Sequence, residues 1–310
     1  MKILLAPMEG LMDSYLRELV TETGSIDLVV SEFVRVVDSP IPKRSLSDSV
    51  PELKNNGQTL SGIPLRVQLL GSNPLALAET ACKAVELGSN GIDFNFGCPS
   101  NTVNRRNGGA ALLKSPEIIY DIIKEARKNL PEYTQISAKM RLGFSDKSQA
   151  VDVANAIEDA GANEIIVHGR TKVDGYKPPA DWESIGQIRD AVNINIIANG
   201  DIFSAAAAKE CLSITGCDDL MIGRGAIYTP NLAGVIKNQE MPMSHKDLKQ
   251  NILCYANLMI TDHMDSRHVV GRVKQWVKII STQNADANAL FQDIKRSKNI
   301  NEIKNILDRK

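Results

Sequence analysis

Residues 91–110, GIDFNFGCPSNTVNRRNGGA, set a cysteine where a thiol could do chemistry. A short apolar run from Gly91 to Asn95 carries polar Asp93 inside it and reads as a strand. Gly97, Cys98 and Pro99 then stop regular structure, and a polar loop with Arg105 and Arg106 closes at Gly108 and Gly109. Proline fixes φ and glycine tolerates positive φ, so both mark turns. Cys98 is expected just past a strand end, on a loop able to bend over a ligand. The competing reading is a buried free thiol, a common fate for cysteine. Against it, the neighbours are Gly, Pro, Asn and Arg rather than Leu and Val.

Other polar groups end apolar runs in the same way. They are Pro7, Met8 and Glu9; Gln68; Asn95; Lys139 and Arg141; His168 and Arg170; Asn199, Gly200 and Asp201; and Gly223, Arg224 and Gly225. A polar group inside an apolar strand is costly without a partner. Lys139, in ISAKMRLG, is the sharpest case; its alternative is an ion pair in the interior.

The elements that must position these groups are short β-branched runs separated by helical patterns. The strand candidates are Ile3–Ala6, Asp27–Ser31, Leu65–Leu70, Gly91–Asn95, Ile136–Met140, Glu164–His168, Asn195–Asn199 and Asp219–Gly223. Most are near-continuously apolar, as strands covered on both faces should be. Asn73-Pro74, Ser115-Pro116, Asp181 and Ser204 read as helix starts, and Gly88 and Gly161 follow helix ends. Residues 38–62, rich in Pro, Ser and Gly, are expected to be irregular. GSNGIDFN (88–95), GANEIIVH (161–168) and GCDDLMIG (216–223) align without gaps, each placing a Gly seven residues before a strand's last residue. Eight strands alternating with helices predict an α/β fold, a parallel (β/α)8 TIM barrel. The alternative, an open doubly wound sheet, lacks the GxGxxG fingerprint after its first strand. From about Gln239 the alternation stops, and helical periodicity alone remains: Ser244 to about Thr261, Ser266–Ile280, Ala285–Arg296 and Ile300–Arg309. The chain is therefore expected to divide into a barrel domain, residues 1–240, and a small C-terminal all-helical domain, residues 241–310.

Active sites of such barrels lie at the C-terminal strand ends, and the last two loops often bind phosphate. Glycines there admit backbone N–H groups to an anion, and Arg224 adds charge. Flavin mononucleotide (FMN) fits these residues. Its phosphate would sit at Asn199–Asp201 and Gly223–Gly225, and its ring near Ala6–Met8. Gln68 would reach the pyrimidine edge, and Lys139 would place positive charge where reduced flavin is negative.

Composition sets wide bounds. The 310 residues are 43% apolar and 24% charged, with a net charge of −1. No apolar run approaches the ~20 residues of a membrane span, and MKILLAPMEG is too short for a signal-peptide core. The five cysteines form no CxxC pair, so neither a disulfide framework nor a metal site is expected, and a reducing, cytoplasmic setting is. From Lys237 onward 13 Lys/Arg stand against 8 Asp/Glu, while the remainder holds 23 against 29. A basic tail on an acidic body suggests that the tail meets an anion; the alternative is a solvated helix surface.

The motifs LLAPMEG, VQLLG, DFNFGCPS with V103 and GGAALL, AKMRLG, VHGRT, IIANGDI and MIGRGA together resemble those of the tRNA-dihydrouridine synthases, in the family's order and over essentially the whole chain. FVR (33–35) and GRVKQW (271–276) look most like the subfamily acting on position 16 of the tRNA D-loop. Two departures are Phe96, where Met or Cys is more usual, and the segment Arg105-Arg106-Asn107. The resemblance implies that NADPH reduces bound FMN, that hydride passes to C6 of a flipped-out uracil, and that Cys98 protonates C5 from the opposite face. A thiol with pKa near ~8.5 is mostly protonated at neutral pH and can serve as an acid. It further implies that His168 lies at the cofactor and that Asn95, Arg141 and Tyr176 line the substrate side. On a helical wheel Val269, Val273, Trp276, Val277 and Ile280 share one face, with Arg267, Lys274 and Lys278 roughly opposite. That basic face, with Arg35, is expected at tRNA phosphates, Lys274 among its residues; Arg272 is expected there too, although it lies between the two faces and could reach either, and the alternative for Arg35 is an ion pair with Glu32 or Asp38. A monomer binding tRNA, with no metal and no membrane partner, is the resulting expectation. Two rival functions are an FMN-dependent reductase of free pyrimidines, as in dihydroorotate dehydrogenases, and a barrel that only binds RNA.

Overall fold

A computed structural model describes residues 1–308. Nine parallel strands are β1 (Ile3–Leu5), β2 (Leu28–Val30), β3 (Val34–Arg35), β4 (Leu65–Leu70), β5 (Ile92–Phe96), β6 (Ile136–Gly143), β7 (Glu164–Thr171), β8 (Asn195–Asn199) and β9 (Asp219–Ile222). Their order is β2-β1-β9-β8-β7-β6-β5-β4-β3, and β2 also pairs with β4, which closes the ring. The two short strands β2 and β3 are one barrel position, interrupted. Val29 registers with Leu65 and Val30 with Arg66, then Val34 with Leu69 and Arg35 with Leu70. The barrel therefore has eight positions, as the sequence predicts. The interruption at Ser31–Phe33 was not foreseen; there the Ser31 hydroxyl donates to the Glu32 carbonyl (2.9 Å) and accepts from the Gln68 backbone N–H (3.0 Å).

The expected helix starts hold where a side chain can reach the free N–H groups of the first turn. Asn73 accepts from Ala76, Asp181 from Ser184 and Ser204 from Ala207, each cap being worth about 1 kcal/mol. Residues 38–62 are less irregular than expected, with a helix at Lys43–Ser49 and a 3-10 turn at Pro51–Asn55. Leu46 is the buried side chain of that helix, so it shows no apolar period to read. Strands β6 and β7 run three residues past their predicted ends, which carries Arg141 and Arg170 on strands rather than loops.

Alternation along each strand separates two environments. Ile92, Phe94 and Phe96 of β5, with Ala138 and Met140 of β6, face the helices in one contiguous core. A second, smaller cluster fills part of the barrel interior: Leu4, Ala6, Leu28, Val30, Ile166, Ile197 and Met221.

After helix Leu232–Asn238 the tail comprises His245–Thr261, Ser266–Ile280, Ala285–Ile294 and Ile300–Leu307; predicted Arg309 lies outside the described residues. Val269, Val273, Trp276, Val277 and Ile280 are all buried, as their common face predicts. Trp276 donates its indole N–H to the Ile227 carbonyl (3.1 Å) and meets Tyr255 edge-on. The tail core is thus continuous with that of the barrel. Among the described residues, no helix is long and apolar enough to cross a membrane, and no cluster of His, Cys, Asp and Glu is placed to hold a metal.

Candidate active site

A cavity of about 460 Å³ opens at the C-terminal mouth of the barrel, within the usual size range of small-ligand sites. Pro7, Met8, Glu9, Gln68, Asn95, Cys98, Lys139, Arg141, His168, Tyr176, Asn199, Gly200, Asp201, Gly223 and Arg224 all line it. Residues far apart in the chain meet because parallel strands all end on one side. Phe33, Phe203 and Met221 line it too and were not foreseen; an isolated apolar residue gives no sequence signal of that role.

Cys98 sits where β5 gives way to the loop. Asn95 Oδ1 accepts the N–H groups of Gly97 (3.0 Å) and Cys98 (2.9 Å). The Cys98 carbonyl accepts from Ala110 N (3.1 Å) and Asn104 Nδ2 (3.0 Å). Gly109 has φ +59°, and a Cβ there would lie 2.9 Å from Cys98 Cβ, so the loop can fold back only over glycine. Burial, reinforced by Glu9, raises the thiol pKa above its usual value, against lowering by the Ser100 N–H, Arg141 and Arg35. Cys98 is therefore protonated at neutral pH.

Lys139 donates to Asn199 Oδ1 (3.0 Å), and burial beside Arg141 lowers its pKa to about 8. Register sets Asn95 beside Lys139, Arg141 beside His168 and His168 beside Asn199. Burial and the cations Lys139, Arg141, Arg170 and Arg224 push His168 well below its usual pKa, so it is neutral. Arg170 Nη1 lies 3.2 Å from His168 Nε2. A guanidinium can only donate, so Nε2 accepts and the imidazole proton sits on Nδ1. Arg141 donates to the carbonyls of Gly97 (2.8 Å), Thr171 (3.0 Å) and Gly175 (2.8 Å), tying the cysteine loop to the segment that carries Tyr176. The Tyr176 ring lies within cation–π range of both Arg141 and Arg224 (5.2 and 5.5 Å).

Three predicted residues have partners that the sequence did not reveal, and a fourth lies away from the main cavity. The Asp201 carboxylate accepts from Arg170 Nη2 (2.5 Å), Arg224 Nη2 (3.1 Å) and the Ala180 N–H (2.8 Å). Of the two arginines it holds, Arg224 lines the cavity beside it. Arg272, expected at RNA, is held inside the molecule. It pairs with Asp13 (2.5 Å) and donates to the carbonyls of Gly10 (2.6 Å) and Leu11 (2.8 Å), joining the tail to the loop after β1. Lys274, also expected at RNA, donates to the Ser297 carbonyl within the tail. Arg35 makes neither of its considered ion pairs and lines a separate cavity of about 350 Å³ with Arg106, Asp38 and Ser72.

The cationic groups Lys139, Arg141 and Arg224 line the main cavity against the carboxylates of Glu9 and Asp201, and Asp201 is already neutralised. Such a surplus beside a neutral imidazole suits an anionic ligand, and the apolar Ala6, Met8 and Met221 suit a flat ring. The residues therefore fit FMN.

A sequence model described as Dihydrouridine synthase (Dus) matches residues 4–308. The chain is 46% identical over 312 residues to the tRNA-dihydrouridine(16) synthase of Haemophilus influenzae, covering 100% of both chains. It is 45% identical over 308 residues to the protein so named in Shewanella oneidensis, covering 99% of this chain and 98% of that one. It is 46% identical over 296 residues to that of Escherichia coli K12, covering 95% and 94%. A match over almost every residue, on a closed barrel whose mouth gathers the motif residues, places the chain in the dihydrouridine synthase family.

Proposed function

We propose that this protein reduces a uridine of the tRNA D-loop, at position 16, to 5,6-dihydrouridine, with FMN in the main cavity and NADPH as electron donor. The observation that carries the reading is a protonated thiol, Cys98, opening on the same cavity as the cations Lys139 and Arg224. The chemistry FMN would supply in this cavity is a hydride for C6 of the uracil. Lys139 and Arg224 would hold the negative charge of that group, and Gln68 would orient its ring. Cys98 donates its proton to C5 and regains one from solvent, so the C5–C6 double bond gains one hydride and one proton. Asn95 and Tyr176 line the substrate side, and Arg141 braces the loops on which Cys98 and Tyr176 ride.

A base must leave its stack to reach this cavity, at a cost of a few kcal/mol. Contacts with tRNA phosphates offset it. The proposed division is a catalytic domain of residues 1–240 and an RNA-facing helical domain of residues 241–310, where Arg267 and Lys278 are the exposed members of the basic stripe. Arg35 offers a further contact from its own cavity.

Cys98→Ala should retain flavin absorbance and lose roughly 10²–10⁴-fold in dihydrouridine formation on unmodified tRNA. Turnover at the native rate would remove the acid assignment.

A further inference from the structure

We propose that Asp93, a buried carboxylate with no direct contact to the cavity, is a positioning residue that fixes the polarity of an amide chain ending on the Cys98 loop. The inference rests on the functional reading above.

The chain runs in one direction. Asp93 Oδ2 accepts from Gln68 Nε2 (2.7 Å). Gln68 Oε1 accepts from Asn95 Nδ2 (2.7 Å). Asn95 Oδ1 accepts the backbone N–H groups of Gly97 and Cys98. The other carboxylate oxygen of Asp93 accepts from the Ser137 hydroxyl (2.5 Å). Parallel register makes the alignment: Gln68, Asp93 and Ser137 are neighbours across β4, β5 and β6, and Asn95 lies one inward position further along β5.

An amide can present either end, and nothing in its shape decides which. An ionised carboxylate can only accept. Asp93 therefore forces the Gln68 NH2 toward itself, which turns the Gln68 carbonyl to Asn95 and the Asn95 carbonyl to the loop. Reversing the first amide would set donor against donor along the line and leave the Gly97 and Cys98 N–H groups without an acceptor.

The carboxylate is expensive to keep. Asp93 is fully buried and, among the described residues, has no ion-pair partner. Arg66 of β4 and Lys139 of β6 lie close enough to favour its charge, but Arg66 is paired with Glu164 of β7 and Lys139 is bonded to Asn199. Burial raises its pKa to about 6. A neutral isostere would cost less in the fold, so an acceptor-only group at this point has a use beyond packing.

The test uses the FMN-loaded enzyme with unmodified tRNA. For Asp93→Leu, kcat should fall roughly ten- to a hundred-fold, the loss expected of a misplaced catalytic group. Its KM for tRNA should change by less than about two-fold, because uniform binding is untouched. Asp93→Asn can turn its oxygen to Gln68 and its NH2 to Ser137, and so should recover most of the rate. Protonated Asp93 can likewise keep its carbonyl toward Gln68 and turn its hydroxyl to Ser137, so neither the wild type nor Asp93→Asn should lose kcat as pH drops through about 6. Amide hydrogen exchange at Gly97 and Cys98 should accelerate in Asp93→Leu while β7 and β8 stay protected. A native kcat in Asp93→Leu, or a rate in Asp93→Asn as low as that of Asp93→Leu, would overturn the proposal; if the leucine variant does not fold, Asp93→Ala takes its place in the same comparison. Loss of activity in Cys98→Ala with Asp93→Leu fully active would sink the positioning role alone. No turnover of tRNA by the wild type would sink the functional reading, with the exchange data still reporting on Asp93.

Discussion

The barrel interior has two unlike sides. On β1, β2, β8 and β9, with Ile166 of β7, an apolar wall of Leu4, Ala6, Leu28, Val30, Ile197 and Met221 lies between polar Asn195 and Asp219 at one end of the barrel and Asn199 at the mouth. On β4, β5 and β6 the inward residues are Arg66, Gln68, Asp93, Asn95, Ser137 and Lys139; hydrogen bonds join Gln68, Asp93, Asn95 and Ser137, while Arg66 pairs with Glu164 of β7 and Lys139 donates to Asn199 of β8. Both sides are buried, and both come from strands that read as apolar runs. The apolar side gains stability from area removed from water and imposes little direction. The polar side costs desolvation and returns directed donors and acceptors. The cysteine loop springs from the polar side, where orientation can be transmitted, and both sides end under the same cavity.

Placing charge on the apolar wall breaks the contrast most severely. Leu4→Asp should cost about 4 kcal/mol or more, because its register neighbours Leu28 and Met221 offer the new carboxylate no side-chain donor; urea unfolding measures it. Asp93→Asn sharpens the contrast from the other side. The native carboxyl titrates near 6 against an ordinary 3.8, so the folded state holds its proton longer than the unfolded chain. Its contribution is full below pH ~4 and lost as pH rises through about 6, up to about 3 kcal/mol. Stability measured from pH 4 to 7 should therefore fall less steeply in Asp93→Asn. Lys139→Met makes the polar side more like its neighbour. It should weaken FMN binding about ten-fold, read by flavin fluorescence. Arg267→Ala with Lys278→Ala lies outside the barrel and should leave stability within about 0.5 kcal/mol. It should reduce the salt dependence of tRNA binding by about two phosphate contacts; an unchanged slope would return that tail face to solvent.

The sequence by itself determined the eight barrel positions, most helix starts, the helical tail and the motif residues that gather at the mouth. These follow from local chemistry: apolar runs, capping side chains, glycine at positive φ, and the fixed side of a parallel barrel to which strand ends point. Tertiary structure alone decided partners. Arg272 and Lys274 sit on a helix that the sequence reads correctly, yet Asp13 and the Ser297 carbonyl, far from it in the chain, occupy them. Asp201 lies in the expected loop, yet two arginines take its carboxylate. Asp93 is visible as a polar residue in an apolar run, but its line to Cys98 needs the register of three strands. Long-range pairing depends on which residues the closed sheet brings side by side, and local propensity carries no record of that.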